Sequence, residues 1–215
     1  MVSLDTTPTP LYALRIVVFA KAPQEGLAKT RLAPQLGFEG AARLARRMLD
    51  DTLMQCLAAD IGVVELCVTP FDLPYWQSLG LDPRIQFSAQ GEGNLGERMG
   101  RACERVTRSG ESILLIGTDC PERNALYLQQ MAEQLKIVDA VIAPASDGGY
   151  LAIGMRRFDA SIFEGIVWST SSVCSATLER LARLTWSFAT TEPLHDIDEP
   201  EDLQFVPQAW LEDLR

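Results

Sequence analysis

The sequence is poor in the residues on which several common kinds of site depend. Its 215 residues include one histidine, His195, which excludes a metal site built from several histidines and disfavours triads that need a histidine base. Its five cysteines are an odd number and form no Cys-x-x-Cys pair, so neither a disulfide framework nor a zinc site is expected. We therefore predict reduced thiols in a cytoplasmic protein and assign His195 no role.

Positive charge is also scarce. The formal net charge of −10 argues against binding to nucleic acid or to an anionic membrane, where clustered Lys and Arg are expected. A few local cations can still bind a small phosphorylated ligand, and an acidic protein that binds phosphate commonly holds a divalent metal as well. No apolar run is long enough to span a membrane, and we see no signal peptide.

Strand-like and helix-like segments alternate along the chain. We predict strands at residues 14–20, 63–68, 85–88, 112–116, 140–143, 150–153 and 186–189. We predict helices at residues 38–59, 72–79, 123–135 and about 171–184, one ending near residue 108, and one at the terminus. This alternation indicates one α/β domain over residues 1–215, with a mostly parallel sheet covered on both faces. Residues 1–13 are expected to be a loosely ordered lead-in.

The loop after the first predicted strand has an anion-binding pattern. The strand stops at Lys21, a loop with Pro and Gly follows, and Lys29, Thr30 and Arg31 precede the first helix. A Walker A motif is excluded because alanine and proline stand where it needs glycines, and this loop contains no G-x-G-x-x-G. A plain turn with solvated cations is the alternative. Three cations at a strand end favour phosphate, which Arg31 can grip with two hydrogen bonds.

Two acidic segments are candidate metal ligands. Asp119 directly follows an apolar strand, where a carboxylate could hold Mg²⁺ against a phosphate. Asp198 has the same D-x-P-E surroundings, and both could simply cap a helix. Capping does not account for Asp196, which lies on the same side of an extended segment as Asp198. Metal binding and capping are compatible, because a cap needs one carboxylate oxygen.

Three further motifs have a functional and a structural interpretation. Asp147 with Gly148 and Gly149 could admit a ligand closely and supply a base, or could form a plain hairpin turn. Trp168 could stack on a sugar or belong to the core, with Ser169 or Thr170 capping the next helix. The Gly-rich loop at residues 90–96 could lie against a nucleotide base or be merely flexible.

Six motifs occur together and in a fixed order. They are F-A-K-A-P-x-x-G-x-x-K-T-R-L (19–32), L-G-E-R-M (95–99), G-T-D-C-P (117–121), D-G-G-Y (147–150), W-S-T (168–170) and D-I-D-E-P-E-D-L (196–203). With these motifs the chain resembles a bacterial family provisionally classed as glycosyltransferases, within the nucleotide-diphospho-sugar transferase (GT-A type) superfamily. The resemblance covers nearly all of residues 16–205.

The resemblance implies a three-layer α/β/α fold and a set of site residues. A nucleotide-binding half would span about residues 14–120 and an acceptor half about residues 121–215. The phosphates would lie against Lys21, Gly26, Lys29, Thr30 and Arg31. The residues implied at the base are Gln90, Gly91, Asn94 and Gly96, and those implied at the sugar or acceptor are Asp147, Gly148, Gly149, Tyr150 and Trp168. The implied ligands of Mg²⁺ (or Mn²⁺) are Asp119, Asp196 and Asp198.

The chain departs from the glycosyltransferase pattern at one position, so more than one reaction stays possible. Many glycosyltransferases have D-x-D where this chain has a single acid, Asp119, and the loop with Lys29 and Arg31 resembles the nucleotidyltransferase branch. In glycosyl transfer from a nucleotide-sugar to a small-molecule acceptor, Asp147 would be the base. In nucleotidyl transfer from an NTP, Arg31 and Lys29 would stabilise the leaving pyrophosphate. A third possibility is a nucleotide-binding protein without turnover.

Overall fold

The computed structural model describes residues 13–214, so the predicted lead-in lies outside the described residues except for Ala13. The strands are β1 (Leu14–Lys21), β2 (Val63–Thr69), β3 (Gln86–Ala89), β4 (Ser112–Ile116), β5 (Ala140–Pro144), β6 (Tyr150–Met155) and β7 (Phe188–Thr190). The α-helices are α1 (Ala33–Ala59), α2 (Leu95–Arg108), α3 (Ala125–Leu135), α4 (Val173–Arg183) and α5 (Gln208–Glu212). Short 3-10 turns cover Thr30–Leu32, Pro74–Leu79, Ala160–Ile162 and Pro200–Phe205.

Every predicted strand is present, with ends within two residues of the prediction. The first helix begins earlier than predicted, at Ala33, and is kinked at Gly37, whose φ of 69° is not helical. The predicted helix over residues 72–79 is a 3-10 turn instead. No helix in the described part of the chain is long and apolar enough to cross a membrane.

The seven strands form one sheet in the order β3-β2-β1-β4-β6-β5-β7. All neighbouring pairs are parallel except those that involve β6, which runs antiparallel to both β4 and β5. The carboxyl ends of β1 and β4 therefore share one edge with the turn that joins β5 to β6. This arrangement confirms the α/β/α fold and brings three of the predicted motifs to one side of the sheet.

The sheet is covered on both faces because its strands alternate their buried side chains between two cores. Ile16 and Val18 of β1 pack in the core that α1 and α3 complete. Val17, between them, packs in the core that α2 and α4 complete. A third cluster joins α1 to the C-terminal segment through Ile197 and Val206, and it fixes the acidic segment next to the start of α1.

The helix caps differ from those considered from the sequence. Helix α3 is capped by Asn124, whose side chain accepts a hydrogen bond from Tyr127 N at 3.0 Å. The 3-10 turn Pro200–Phe205 is capped by Glu199. Helix α4 starts after Ser172 with no side-chain cap. The capping interpretations of Asp119, Asp198, Ser169 and Thr170 are therefore wrong, and another account is needed for the two acids.

Candidate active site

A cavity of about 620 Å³ lies where β1 and β4 end and β6 begins. Its lining includes residues from the loop after β1, the start of α2, the loop after β4, the D-G-G-Y turn, the W-S-T segment and the acidic C-terminal segment. Functional loops at this edge are typical of open α/β sheets. Most of the predicted site residues are among those that line the cavity: Lys21, Lys29, Thr30, Arg31, Gln90, Asp119, Asp147, Gly149, Tyr150, Trp168, Asp196 and Asp198.

Lys29 is the buried cation of this cavity. Its Nζ lies 2.9 Å from Asp119 Oδ1 and 3.4 Å from Asp198 Oδ1, and its side chain is 7% exposed. Burial by itself disfavours the ammonium charge, but the two carboxylates outweigh it and raise the pKa of Lys29 above its usual 10.5. Lys29 thus ties the loop after β1 to both acidic segments.

The local backbone explains why Lys29 points inward and Arg31 does not. Lys29 has left-handed dihedrals (φ 50°, ψ 38°) and precedes the 3-10 turn, whose Leu32 is buried against α1. Arg31, two residues on, reaches outward and is 59% exposed. Its Nη1 lies 2.6 Å from Asp198 Oδ2 and 3.0 Å from Glu199 Oε1. Both cations of the K-T-R sequence are therefore paired with protein carboxylates.

A backbone hydrogen bond aligns the two acidic segments. Ile197 N donates to Asp119 O at 2.8 Å, and the Ile197 side chain is fully buried. Because side chains alternate along extended backbone, Asp196 and Asp198 face the other way and both line the cavity. This confirms the prediction that the two acids share one side of the segment.

Asp147 lies on the turn between β5 and β6 and adds a further carboxylate to the cavity lining. Its Oδ1 accepts a hydrogen bond from Gly149 N at 2.7 Å. Burial and then the neighbouring charge of Asp147 raise the pKa of Asp196 above its usual range. Gly148 has φ of +92°, and a Cβ there would lie 2.2 Å from Ser171 O, so glycine is required for this turn to pack against the start of α4.

The chemistry of the acidic side chains suits a hard cation, because carboxylate oxygens are the ligands that Mg²⁺ prefers. Among the described residues, however, no group of three or more His, Cys, Asp or Glu side chains is close enough to hold a metal. Lys29 Nζ lies within salt-bridge distance of both Asp119 and Asp198. Metal binding at both acids would therefore require rearrangement of this ion-paired cluster.

The loop at residues 90–96 is tied into the fold more tightly than a flexible loop. Gln90 is buried, and its Nε2 donates to Ala20 O at 3.2 Å and to Cys67 O at 3.0 Å. Asn94 and Glu97 form a capping box at the start of α2. Five other residues with predicted binding roles are absent from the cavity lining, and those roles stay predictions: Gly26, Gly91, Asn94, Gly96 and Gly148.

Trp168 joins the W-S-T segment to helix α2. A Cβ at Gly96 would lie 2.8 Å from the Trp168 ring, so glycine at this position lets the indole pack closely. Trp168 also contacts Phe163 in the core, with ring centroids 6.3 Å apart, and it has a side that lines the cavity. The core and ligand interpretations of this tryptophan are therefore compatible.

Tyr150 lines the cavity, but its hydroxyl is buried away from solvent, and burial raises the pKa of that hydroxyl. His195 does not line the cavity. Its ring stacks on Phe205 with centroids 3.6 Å apart, and its Nδ1 lies 3.1 Å from Glu122 Oε2. These contacts give His195 a structural role outside the cavity.

Arg98 is a cavity residue that the sequence reasoning did not single out. It belongs to the L-G-E-R-M motif, and it lines the cavity together with Leu95 and Met99. These three residues have the i, i+3, i+4 spacing of one helix face. That spacing, next to a loop already assigned to the ligand, is the signal that could have identified Arg98.

Comparisons with known proteins bear on the family and the fold. Residues 52–170 match a protein family described as "uncharacterized protein conserved in bacteria (DUF2064)". A solved structure from Desulfovibrio desulfuricans G20, provisionally named a nucleotide-diphospho-sugar transferase, has 34% sequence identity and a TM-score of 0.82. That alignment covers 88% of this chain and 84% of the other. No curated protein matches the chain significantly.

More distant structures share the fold. The 4-diphosphocytidyl-2C-methyl-D-erythritol synthase of Anaerococcus prevotii DSM 20548 aligns with a TM-score of 0.62 at 13% identity, over 94% of this chain and 97% of that one. A cytidylyltransferase of Leptospira borgpetersenii aligns with a TM-score of 0.56 at 12% identity, over 94% of each chain. At these identities the likeness concerns the architecture alone.

Proposed function

We propose that this chain, which belongs to the DUF2064 family of bacterial proteins, is a metal-dependent glycosyltransferase that uses a nucleotide-diphospho-sugar and a small-molecule acceptor. The proposal rests on one observation, a cavity in which cations and carboxylates meet. The cations come from the loop that carries Lys29, Thr30 and Arg31 (the K-T-R loop), and the carboxylates come from the loop after β4, the D-G-G-Y turn and the acidic C-terminal segment. The relative with 34% identity, provisionally named for the same class of substrate, supports it. A nucleotide diphosphate can be bound by cationic side chains together with a divalent metal, whereas an acceptor hydroxyl is activated by a base.

In this proposal Asp119 and Asp198 would hold the Mg²⁺ or Mn²⁺ ion, with Asp196 beside them. When bound, such an ion stabilises negative charge on a departing diphosphate. Burial and then the charge of Asp147 raise the pKa of Asp196, and a metal ion bound beside this carboxylate would offset both effects. Lys29, which contacts Asp119 and Asp198, would shift toward the ligand's own negative charge.

Asp147 is the proposed base. The acceptor hydroxyl oxygen would form a bond to the anomeric carbon of the sugar while the bond from that carbon to the diphosphate oxygen breaks. The hydroxyl proton would pass to the Asp147 carboxylate, and the nucleoside diphosphate would leave. Asp147 is suited to this role because the turn bond from Gly149 N holds its Oδ1 while the residue lines the cavity.

A second candidate is nucleotidyl transfer, and Lys29 is the observation that favours it. A buried lysine fixed 2.9 Å from Asp119 could stabilise charge as an NTP is attacked at its α-phosphorus and pyrophosphate leaves. The K-T-R loop offers Arg31 as a second cation for that leaving group. The two candidates differ in the product released, which is a nucleoside diphosphate in one and pyrophosphate in the other.

A thermal-shift screen of NTPs and nucleotide-diphospho-sugars, each with and without Mg²⁺, tests the proposal. A ligand at a hundredfold excess over its Kd should stabilise the protein by roughly 2.7 kcal/mol. Stabilisation by a nucleotide-sugar, followed by release of nucleoside diphosphate, supports glycosyl transfer. NTP binding with pyrophosphate release would support nucleotidyl transfer instead, and binding without any product would indicate a nucleotide-binding protein.

The metal assignment has its own test in Asp119→Asn. We expect Mg²⁺-dependent nucleotide binding to weaken by at least about tenfold, since even the partners of metal ligands have effects of this size. Glu104→Gln is the matched control because it removes the same charge from an exposed site on α2. Titration of the ligand against both variants at fixed Mg²⁺ provides the measurement, and equal affinities would refute the metal role of Asp119.

A further inference from the structure

The lysines and arginines that line the cavity fall into two groups. Lys29 and Arg31 are paired with carboxylates, as described above. Lys21 and Arg98 are different. Within residues 13–214, Lys21 has no hydrogen-bonding or ionic partner, and the hydrogen bonds of Arg98 go to the neutral oxygens Gln90 Oε1 and Asn94 O. Their positive charges are therefore not neutralised by carboxylates in the described part of the chain.

Gln90 holds Arg98 in place. Both amide hydrogens of Gln90 are directed at backbone carbonyls, one at the end of β1 and one on β2. This fixes the orientation of the amide, so that Oε1 is free to accept from Arg98 Nη1 at 3.1 Å. Because Gln90 is buried, the guanidinium is attached to a rigid part of the sheet. Because the Arg98 side chain is already held in place, it loses less conformational entropy when a ligand binds.

The position of Arg98 on α2 is equally well defined. The capping box formed by Asn94 and Glu97 fixes the first turn of the helix. Arg98 Nε also donates to Asn94 O at 3.4 Å. A guanidinium has five N–H donors, and these two hydrogen bonds leave others available to a ligand in the cavity that Arg98 lines.

We propose that Arg98, held by Gln90 and assisted by Lys21, binds the phosphate groups of the nucleotide ligand. This inference rests on the proposed function and refines it, because the resemblance assigned the phosphates to Lys21, Gly26, Lys29, Thr30 and Arg31 and gave Arg98 no role. Lys29 and Arg31 have carboxylates as nearest ionic neighbours, so a phosphate there would meet negative charge unless a metal ion is already bound. At Arg98 the phosphate meets an unneutralised guanidinium, which can donate two parallel hydrogen bonds to phosphate oxygens.

The experiment compares Arg98→Gln with Arg108→Gln by calorimetric titration at fixed Mg²⁺. Arg108 is the matched control because it lies on the same helix, is 77% exposed and pairs with Glu104. The probes are inorganic pyrophosphate, the four common ribonucleoside diphosphates and the corresponding nucleosides. Arg98→Lys is included because it keeps the charge but not the bidentate geometry. Thermal unfolding of each ligand-free variant checks its folding.

We expect Arg98→Gln to weaken pyrophosphate and diphosphate binding by about tenfold or more, which corresponds to about 1.4 kcal/mol. Arg108→Gln should change these affinities by less than about threefold. The affinities of Arg98→Lys should lie between those of the other two variants. Equal affinities of the Arg98→Gln and Arg108→Gln variants would overturn the inference while the proposed function stands. A loss confined to nucleosides would assign Arg98 to the base instead. If the unmutated protein binds none of the probes, the inference and the proposed function both fail.

Discussion

Two charged clusters lie toward opposite ends of the sheet's strands, and they are built differently. The first lies near the amino ends, and we call it the basal cluster. In it Glu65 pairs with Arg15 and Arg105, and Arg15 pairs with Glu111 as well. The second, at the carboxyl ends, is the group around Lys29 in the cavity, and we call it the site cluster. Both contain buried charge, which costs free energy unless it is paired.

In the basal cluster two arginines meet two glutamates. Glu65 is 2% exposed, and its carboxylate receives hydrogen bonds from Arg105, from Ser88 and from Arg15 at 3.2 Å. Burial would raise the pKa of Glu65, but the hydrogen bonds from Arg105 and Ser88 outweigh it and lower that pKa. Every charge in this cluster has an opposite neighbour within the protein.

In the site cluster the charges do not balance. Lys29 and Arg31 face Asp119, Asp198 and Glu199 directly, while Asp147 and Asp196 add carboxylates nearby. Burial acts on both acids, but hydrogen bonds from Arg105 and Ser88 lower the pKa of Glu65, whereas burial and then the charge of Asp147 raise the pKa of Asp196. We infer that the basal cluster serves the fold alone, whereas the site cluster is suited to receive positive charge from a metal ion.

The largest expected effect comes from breaking the basal cluster with Glu65→Gln. Removal of one partner of a buried ion pair leaves the others uncompensated, so we expect the free energy of unfolding to fall by about 3 kcal/mol. Urea denaturation measures it. Glu104→Gln, which breaks an exposed pair on α2, should cost less than about 0.5 kcal/mol. Equal losses from the two substitutions would contradict the structural role of the basal cluster.

Glu65→Gln is also expected to change how the free energy of unfolding depends on pH. Because the pKa of Glu65 is lower in the folded protein than its usual 4.5, its stabilisation is complete above pH 4.5 and is lost as the pH falls through the folded value. The Glu65→Gln variant should therefore lose less stability than the unmodified protein on acidification below pH 4.5. Denaturation curves across that range compare the two slopes.

A smaller loss is expected when Lys29 is replaced by methionine. The substitution leaves Asp119 and Asp198 without their shared cation, but both are more than 40% exposed and can hydrate. We therefore expect a loss of about 1–2 kcal/mol without divalent metal. Mg²⁺ should restore more stability to this variant than to the unmodified protein, because the lysine no longer competes for the two acids. Thermal unfolding with and without Mg²⁺ is the measurement.

Lys29→Arg is the control for that prediction, since it keeps the positive charge and should lose less stability. A Lys29→Met variant that is as stable as the unmodified protein would show that the ion pairs with Asp119 and Asp198 contribute nothing measurable. The raised pKa of Lys29 adds a second readout. Its contribution should be present below pH 10.5 and be lost as the pH rises through the folded value.

How far the sequence predicts this molecule differs between the sheet and the cavity. Apolar patterns located the five inner strands, because a strand buried on both faces has a local pattern of its own. The two edge strands, β3 and β7, were also predicted although they are mostly exposed. The family resemblance assigned Asp119 and Asp198 to one site, and both line the cavity. Local patterns failed at the helix caps, where Asn124 and Glu199 took the places assigned to Asp119 and Asp198.

The sequence could not predict which charges are neutralised. Lys29 and Arg98 are both cations near the same edge, yet one faces two carboxylates and the other faces neutral oxygens. That difference depends on partners far apart in the chain, brought together by the sheet and by the buried contact of Ile197 with α1. Gln90 is a similar case, because its burial between β1 and β2 is a tertiary contact that no local pattern specifies.

The smallest expected effect is a gain in stability from Asp196→Asn, and it has the opposite sign to the two losses above. Burial and the nearby charge of Asp147 disfavour the Asp196 carboxylate, so its removal should raise the free energy of unfolding by about 0.5–1 kcal/mol at neutral pH. Asp198→Asn, two residues away, should instead destabilise the ligand-free protein, because Asp198 pairs with Lys29 and Arg31.

The pH dependence of the gain in stability shows whether the gain comes from removal of the Asp196 charge. Since the pKa of Asp196 is higher in the folded protein than its usual 3.8, the penalty is absent below pH 3.8 and develops as the pH rises through the folded value. The advantage of Asp196→Asn should follow the same course in urea denaturation. A gain that is constant with pH, or a loss, would show that Asp196 carries no electrostatic strain. The argument that the site cluster is suited to a metal ion would then lose the support that the raised pKa of Asp196 gives it.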